Sequence, residues 1–597
     1  MSSRDAIAKS FELNDGEHSS VIDELHSLCR IYNLNAEDLK FKWEAFSINM
    51  GSIVAPTVGL VRQLKSSLQF EFQQKLQTKS RSEPSNQAPK YGGIAFSIPM
   101  EEDTGADILG AFMSNWSGSS AKSNLKKQQE ALAPSSILLK QQSKASAELD
   151  NRIGANIVDS QFNGHLDLPK QRPNTSANTT VRILQPPIPK YRYMFEKISE
   201  KSEGLDEQIE FIGDVIGKHY NVETYANPLK ASQSQVTAVG RVCCDSSGVK
   251  LNKTSVVLET TRELGMGKRV KLDLKNVEEY SLFPGQIVAV RGTNNTGKAF
   301  TVDSIITPPL PPVLPRKEKE IYKYSMESGA DNQPVDIVVT SGPYTLDDDL
   351  SYKTLGAFIQ TCIAQKPDVV ILMGPFVPES HPIIASGALD VTPQDVFREQ
   401  VAKRINNLST ASPSTQILLM PHADDLIHEY PLFPQPQLNK DGLGLGNVQT
   451  LSNPSLIEIN GSRFAIGNID ILFSMSKEEI FGTIPHQDRL GRLTRHVLEQ
   501  RSFYPLFPSA IHDSIDSSRF PDLLISESPD FLILPSQLKQ FTKKIDDVIA
   551  INPGYLSKRR TPGTYARILI HPATELNNNI DGQTKTWERT RIDLVRL

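Results

Sequence analysis

The 597-residue sequence predicts a multidomain chain in four parts: a small N-terminal helical domain (1–79), a flexible linker (80–185), a small β-barrel with a leading helix (186–312) and an α/β domain (313–597). Three observations carry this. Apolar residues recur at helical spacing near the N-terminus, and a long stretch rich in Ser, Gln, Asn and Pro follows. Short alternating runs then give way, across the proline-rich joint TPPLPPVLPRKEKE at 307–320, to near-continuous runs of Val, Ile and Leu. A chain of this length exceeds a single hydrophobic core, so several units are expected.

The helical part opens with SSVIDELHSLCRIY, where Ser20 and Asp23 read as a capping box and Val21, Leu25, Leu28 and Tyr32 share a face. NAEDLKFKWEAF repeats the device with Asn35 and Asp38 ahead of Leu39, Trp43 and Phe46. A third helix is expected after Pro56, with Val61, Leu64, Leu68, Phe72 and Leu76 on its face. A unit this small buries little surface, which suits a docking role. Between 80 and 185, apolar periodicity fades, and the segment lacks the apolar surface to offset its ordering entropy. It reads as a tether, with AFMSNW a candidate short linear motif.

Order returns at YRYMFEKISEKSEGLDEQIEFI, a helix with Tyr193, Ile198, Leu205 and Ile209 among its apolar positions. Five short strands follow, VTAVGRVCCD, SVVLET, RVKLDL, GQIVAV and AFTVDSII, and together they suggest a barrel of the OB type. The turn between the last two, RGTNNTGKA, matches G-x-x-x-x-G-K but ends in Ala299 where a phosphate-binding loop needs Ser or Thr. Such a loop must also open into a helix, and the alternation of AFTVDSII is a strand's, so the turn reads as a β-hairpin. A single-strand-binding barrel needs aromatics above a basic groove. These strands have few aromatics and mixed charge, which favours structural or protein-binding use over nucleic-acid binding.

Composition narrows the function classes. Lys plus Arg total 64 and Asp plus Glu 69, a net −5, so no global positive field draws the chain onto nucleic acid and DNA contact is expected to be weak or indirect. Cys29, Cys243, Cys244 and Cys362 form no C-x-x-C pair, which excludes a zinc ribbon or a disulfide framework. No apolar signal core or run of eighteen apolar residues occurs, so neither a secretory signal nor a membrane span is expected and the compartment reads as cytosolic or nuclear. Lys558, Arg559 and Arg560 form a weak candidate import cluster.

In the α/β part, VDIVVTSGP, PDVVILMGP, STQILLMPH, RFAIGNID and PDLLISESP read as five strands, and chemistry is expected in the loops at their ends. Their order resembles the calcineurin-like metallophosphoesterases, which place D-x-H, G-D-x-x-D and G-N-H-D/E after the first three strands and further histidines later. Two metals about 3.5 to 4 Å apart need such carboxylates and imidazoles around a shared hydroxide. Here the slots read Ser341, Gly342, Pro343, then Gly374, Pro375, then Pro421, His422, Ala423, Asp424, Asp425, and the fifth loop has no histidine. Side chains of Pro and Gly cannot ligate, so the domain is expected to be inactive, with no catalytic or metal residues and no cofactor. GNID at 467–470 imitates G-N-H-D without the His and follows a later strand, which reads as coincidence. His422, Asp424, Asp425 and His428 are close enough in sequence for a metal site but read as a polar surface loop.

The substitutions are more specific than a lost active site. TSGPYTLDDDLSY, PDVVILMGPFVPESHP, HADDLIHEYPLFPQPQL, TIPHQDRLGRLTRHVLEQRSFYPLFP, PDLLISESPDFLILPSQLKQF and INPGYLSKRRTPGTYARI resemble the B subunits of eukaryotic replicative DNA polymerases, those of DNA polymerase alpha in particular. The resemblance covers 190–597 strongly and the N-terminal part in layout. It implies a nuclear, non-catalytic scaffold of the polymerase alpha–primase complex. Its barrel and phosphoesterase domain would hold the C-terminal domain of the catalytic subunit, alongside primase, while the helical domain recruits other replication factors. Residues 80–190 hold no Ser-Pro or Thr-Pro, which departs from the tether phosphorylation the resemblance implies, and Thr307-Pro308 is a weak substitute. Arg489, Arg492 and Arg495 with Phe503, Tyr504 and Phe507 form a candidate partner interface, or else an ordinary helix ending on core aromatics. The competing readings are a single-stranded nucleic-acid-binding barrel and, against the missing ligands, an active phosphoesterase.

Overall fold

A computed structural model of the chain describes residues 11, 19–32, 39–40, 43, 56, 60–61, 64, 156–168, 179–246, 249–313, 334–483, 488–572 and 585–597. The chain divides into two compact units, Met1–Gln128 and Gln129–Leu597. In the first, helix α1 (Ser19–Tyr32) buries Val21, Leu25 and Cys29 in a cluster with Leu39, Trp43, Val61 and Leu64. Ser20 is the second residue of α1, so it does not cap the helix as the sequence suggested. Most of the second and third expected helices, and AFMSNW, lie outside the described residues.

In the second unit, the end of the expected linker is not a tether. Strand β1 (Val158–Phe162) pairs antiparallel with the strand nearest the C-terminus, Val158 opposite Val595 and Phe162 opposite Ile592. Strand β2 (Val181–Ile183) adds to a different sheet, with Ile183 opposite Ile457. The physical reason is economy of signal. An edge strand gains backbone hydrogen bonds whatever its composition, and from these two strands Phe162, Val181 and Ile183 reach the inter-sheet core while Val158 packs on the outer face, too few apolar residues to stand out in a polar window.

Helix α2 (Ile198–Tyr220) starts later and runs longer than the apolar positions implied. Tyr193 precedes it, Ile198 is exposed, and the buried face is Ile209, Ile212 and Ile216, seated on Val239, Ile287 and Ala289 of the barrel. The barrel closes in the order β3 (Ser232–Cys244), β4 (Val256–Glu259), β5 (Arg269–Asp273), then β8 and β7, while the short β6 (Ser281–Leu282) lies outside it. Strands β7 (Ile287–Asn294) and β8 (Ala299–Ile306) form the expected hairpin. Gly297 takes φ +73°, and its N–H donates to Asn294 Oδ1 at 2.7 Å, so the loop's amide turns into its own turn. A strand begins directly after Lys298, leaving no helix N-terminus for a phosphate.

The α/β part holds two sheets face to face. The first is seven-stranded, β1-β22-β21-β9-β10-β11-β12, with β9 (Val335–Ser341), β10 (Val369–Met373), β11 (Gln416–Met420), β12 (Gln449–Thr450), β21 (Thr564–Ile570) and β22 (Thr590–Arg596). The second is six-stranded, β17-β18-β16-β14-β13-β2, with β13 (Ser455–Ile459), β14 (Ser462–Ile466), β16 (Phe531–Ile533), β17 (Phe541–Ile545) and β18 (Val548–Asn552). Ile337, Val339, Ile371, Met373 and Met420 face Ile457, Phe464, Ile466, Phe531 and Ile551 between the sheets. Helices α3 (Lys353–Gln365) and α4 (Lys403–Ala411) cover the outside of the first sheet. The outside of the second is covered by α5 (Ile471–Glu478) and α6 (Arg489–Glu499). Burial on both faces explains the unbroken apolar runs.

The strand-forming runs divide between the two sheets, RFAIGNID supplying β14 of the second, and one sequence expectation changes. PDLLISESP is no strand: Ser517–Leu523 is a 3-10 turn with Pro521 inside it, and the strand is the following Phe531–Ile533. Proline removes the ladder donor at Pro521, whereas Phe531–Ile533 contains no proline and pairs with strands on both sides. A two-residue ribbon, β15 (Ile480–Phe481) on β6, joins α/β part to barrel, and the hairpin of β19 (Ser557–Lys558) and β20 (Thr561–Pro562) carries Arg559 and Arg560 at its tip. Among the described residues no helix is long and apolar enough to cross a membrane.

Candidate functional site

Parallel β9, β10 and β11 end side by side, which brings Ser341, Gly342, Pro343, Gly374, Pro375, Pro421, His422 and Asp424 to one mouth. The backbone there is packed against itself. Gly342 N–H donates to Met373 O at 2.8 Å and Gly374 N–H to Met420 O at 2.9 Å. A Cβ on Gly342 would stand 2.1 Å from Pro375 O, so glycine is required by close approach. Ser341 Oγ donates to Gly374 O at 3.3 Å.

The polar side chains that could ligate a metal have other work. Asp425 is buried and accepts from the N–H groups of Phe376 at 2.6 Å and Val377 at 3.0 Å, tying down the loop after β10. Burial raises its carboxyl to about 6, against the opposing pull of those N–H groups. His422 accepts from Asp424 N–H through Nδ1 at 3.1 Å, and burial pushes its imidazole below the ordinary value, so it stays neutral. His428 turns away, with Nε2 3.0 Å from Pro436 O and Nδ1 accepting from Tyr430 N–H. Among the described residues no group of three His, Cys, Asp or Glu side chains could hold a metal ion.

GNID, which the sequence left as coincidence, lies in this mouth. Asn468 is buried and its Nδ2 donates to Gly374 O at 3.1 Å and to Pro421 O at 2.9 Å, bridging the loops of the first sheet from the second. Asn453 holds Asn468 in turn, through Oδ1 to its N–H and Nδ2 to its carbonyl. Asp470 caps α5 by accepting from Phe473 N–H, and takes a further bond from Tyr555 OH at 3.2 Å. The signal was present as the motif itself, but only the second sheet's position gives Asn468 its partners.

The second cluster singled out by sequence lies at the seam between barrel and α/β part. Phe503 and Tyr504 are buried in the core outside the second sheet, as in the alternative reading of a helix ending on core aromatics. Phe507 is half-buried, its N–H on Pro284 O at 3.1 Å and its ring under the Arg241 guanidinium. Arg492 forks onto Glu479 at 2.6 and 3.1 Å, and Arg495 pairs with Asp546 at 2.9 Å. Arg489 reaches Ser476 O at 2.5 Å and stays half-exposed. These side chains are mostly satisfied inside the chain, so they do not present one open face.

Sequence reasoning missed the seam's centre. Ser281 of β6 donates to Glu479 Oε1 at 2.7 Å and lies 2.8 Å from His496 Nε2, and Gln500 bonds both N–H and O of Ile287 at 2.8 and 2.9 Å. Burial would raise the Glu479 carboxyl, but hydrogen bonds from His496, Arg492 and Ser281 hold it at about 2. Burial would likewise lower His496, yet Glu479 and Glu499 hold it above its ordinary value, so the pair is charged.

Comparison with known proteins follows the same order along the chain. A family model for the N-terminal part of the DNA polymerase alpha B subunit matches residues 9–68, one for the OB domain of that subunit matches 202–307, and one for the DNA polymerase alpha/epsilon B subunit matches 337–543. The DNA polymerase alpha B subunit of Schizosaccharomyces pombe is 30% identical over 98% of this chain and 100% of its own length. That of Mus musculus is 34% identical over 66% of this chain and 65% of its own length. A solved structure described as a novel archaeal phosphodiesterase is 13% identical, covering 44% of this chain and 99% of that one, with a TM-score of 0.21. With three family models in chain order and a relative aligned nearly end to end, the chain belongs to the family of DNA polymerase alpha B subunits.

Proposed function

We infer that this chain is the non-catalytic B subunit of a DNA polymerase alpha–primase assembly, working in the nucleus at the initiation of DNA replication. The barrel and an inactive, phosphoesterase-like α/β domain form the body that holds the C-terminal domain of the catalytic subunit, with primase in the same assembly. The helical domain of 1–79, on a tether that ends before β1 rather than at 185, recruits other replication factors. The observation that carries this reading is the closed mouth: Pro375 stands where a bridging carboxylate would be, Asp425 is spent on backbone N–H groups, and Asn468 spans the remaining gap. A scaffold gains from such closure, because loops already ordered lose little entropy on binding.

The test is to purify the tagged chain from its own cells and assay the eluate for DNA polymerase and RNA primer synthesis. Both activities are expected to co-purify, with neither in the isolated chain. Polymerase without primase would move the chain to another assembly, and the absence of both would end the scaffold reading.

A further inference from the structure

Between β2 and α2 the chain crosses the surface of the second unit as an apolar ridge. Leu184, Tyr193, Met194, Phe195 and Ile198 all stand exposed within fifteen residues, Met194 at 73%, Phe195 at 66% and Ile198 at 89% of their surface. Single exposed apolar residues are ordinary, but four within six consecutive residues, Tyr193, Met194, Phe195 and Ile198, are not. The ridge is also held in place. Tyr191 OH donates to Pro434 O at 2.6 Å, Tyr430 OH donates to Tyr191 O at 2.7 Å, and Ile188 N–H donates to Ser452 Oγ at 3.1 Å. Tyr193 packs on Tyr430 with ring centroids 5.3 Å apart, and the Arg519 guanidinium covers Tyr191. Lys190, Tyr191, Arg192, Tyr193 and Tyr430 line an open depression of about 530 Å³ beside it.

Charge says what kind of partner fits. Lys190 pairs with Glu429 at 3.2 Å, Lys201 with Glu196 at 3.8 Å, Lys197 with Glu200 at 3.9 Å and Arg519 with Asp522 at 2.6 Å. Arg192 is different: among the described residues its guanidinium meets no carboxylate and lies 3.9 Å from the Phe195 ring centroid. A nucleic-acid backbone would have to pass Glu196, Glu200 and Glu429 with little surplus positive charge to draw it in. Met194, Ile198 and Leu184 give bases nothing to stack on, and of the two exposed aromatics Tyr193 is packed on Tyr430 and Phe195 has one ring face taken by Arg192. Tyr, Met, Phe and Arg are instead the residue types enriched where proteins meet proteins.

We propose that the ridge Leu184–Ile198 is a docking surface for an apolar protein segment bearing a carboxylate for Arg192, supplied by another subunit of the polymerase assembly; this rests on the reading of the chain as a polymerase subunit. The ridge spans the junction of the α/β part and the helix leading into the barrel, so a segment bound there fixes both. Pre-ordering by Tyr191 and Tyr430 lowers the cost of binding.

The experiment is hydroxyl-radical footprinting of the full chain, alone and in the purified assembly, read at Met194 and Phe195. Oxidation is expected to slow about fivefold or more on assembly, as for side chains at the centre of an interface. The double variant Met194→Glu, Phe195→Ala should bind the other subunits about tenfold more weakly, and Arg192→Glu should do the same with less dependence on salt than wild type has. All three side chains are exposed, so unchanged thermal melting of the variants checks that the fold is intact. Equal oxidation in both states overturns the proposal. So does protection of the isolated chain by an added single-stranded oligonucleotide, or by raising its own concentration, which would assign the ridge to nucleic acid or to a second copy. If wild-type chain brings down no polymerase component, the subunit reading itself fails and takes the ridge with it.

Discussion

Glu479→Gln isolates the electrostatic part of the seam between barrel and α/β part. The wild-type carboxylate is wholly buried and accepts from Arg492 twice and from Ser281, with His496 Nε2 3.7 Å away. Glutamine keeps the shape but turns one acceptor into a donor aimed at the guanidinium, leaving Arg492 without its counter-charge in a site where its side chain is 10% exposed. Removing one partner of a buried pair costs about 3–5 kcal/mol. His496 can shed its proton, Gln retains one acceptor, and Arg492 keeps the Phe481 ring at 5.2 Å, which together return about 1 kcal/mol. The net loss is about 2–4 kcal/mol, local to the β6–β15 ribbon. Native-state hydrogen exchange reads it directly at the N–H groups of Gly482 and Thr483, which bond Tyr280 O and Glu278 O across the seam. Their opening should accelerate roughly 30- to 900-fold. A change under about threefold would refute the reasoning and mean that apolar contacts around Phe283 and Phe503 hold the seam alone.

Further outcomes follow from the same geometry. Glu479, held at about 2 against an ordinary 4.5, adds stability that is full above 4.5 and lost as pH falls toward 2; His496, raised above 6.5, adds stability that is full below 6.5 and lost as pH rises through its folded value. The wild-type advantage over Glu479→Gln in urea should therefore peak between about pH 4.5 and 6.5, and a flat difference from pH 4 to 8.5 would count against a charged pair. Gly342→Ala drives a Cβ onto Pro375 O at 2.1 Å, and as the obstacle is backbone, a loss of about 3 kcal/mol in denaturant unfolding is expected. Truncation ending at 155 should leave a monodisperse chain by light scattering, whereas truncation ending at 168 uncovers the β22 edge and removes Phe162 from the inter-sheet core, so self-association should appear. Pro375→Asp should give no manganese-dependent phosphodiesterase activity, because Asp425 and Asn468 still occupy the mouth.

Local order was legible in the sequence because it is written in neighbouring residues. The alternation of AFTVDSII distinguished a hairpin from a phosphate loop, and its Phe300 and Val302 are indeed inside the barrel. The apolar runs ending at Ser341, Met373 and Met420 marked strands buried on both faces. The tertiary structure alone decided which sheet each strand joined. Pairing joins residues hundreds apart, such as Phe162 with Ile592, and leaves no local trace. It also decided the fate of side chains with two plausible roles. Phe503 and Tyr504 suit an interface or a core equally by type, and Asn468 in GNID is an ordinary polar residue until β14 carries it to Gly374 and Pro421. Residue type sets what a group can do, but burial and partners, which only the folded chain supplies, select among those uses.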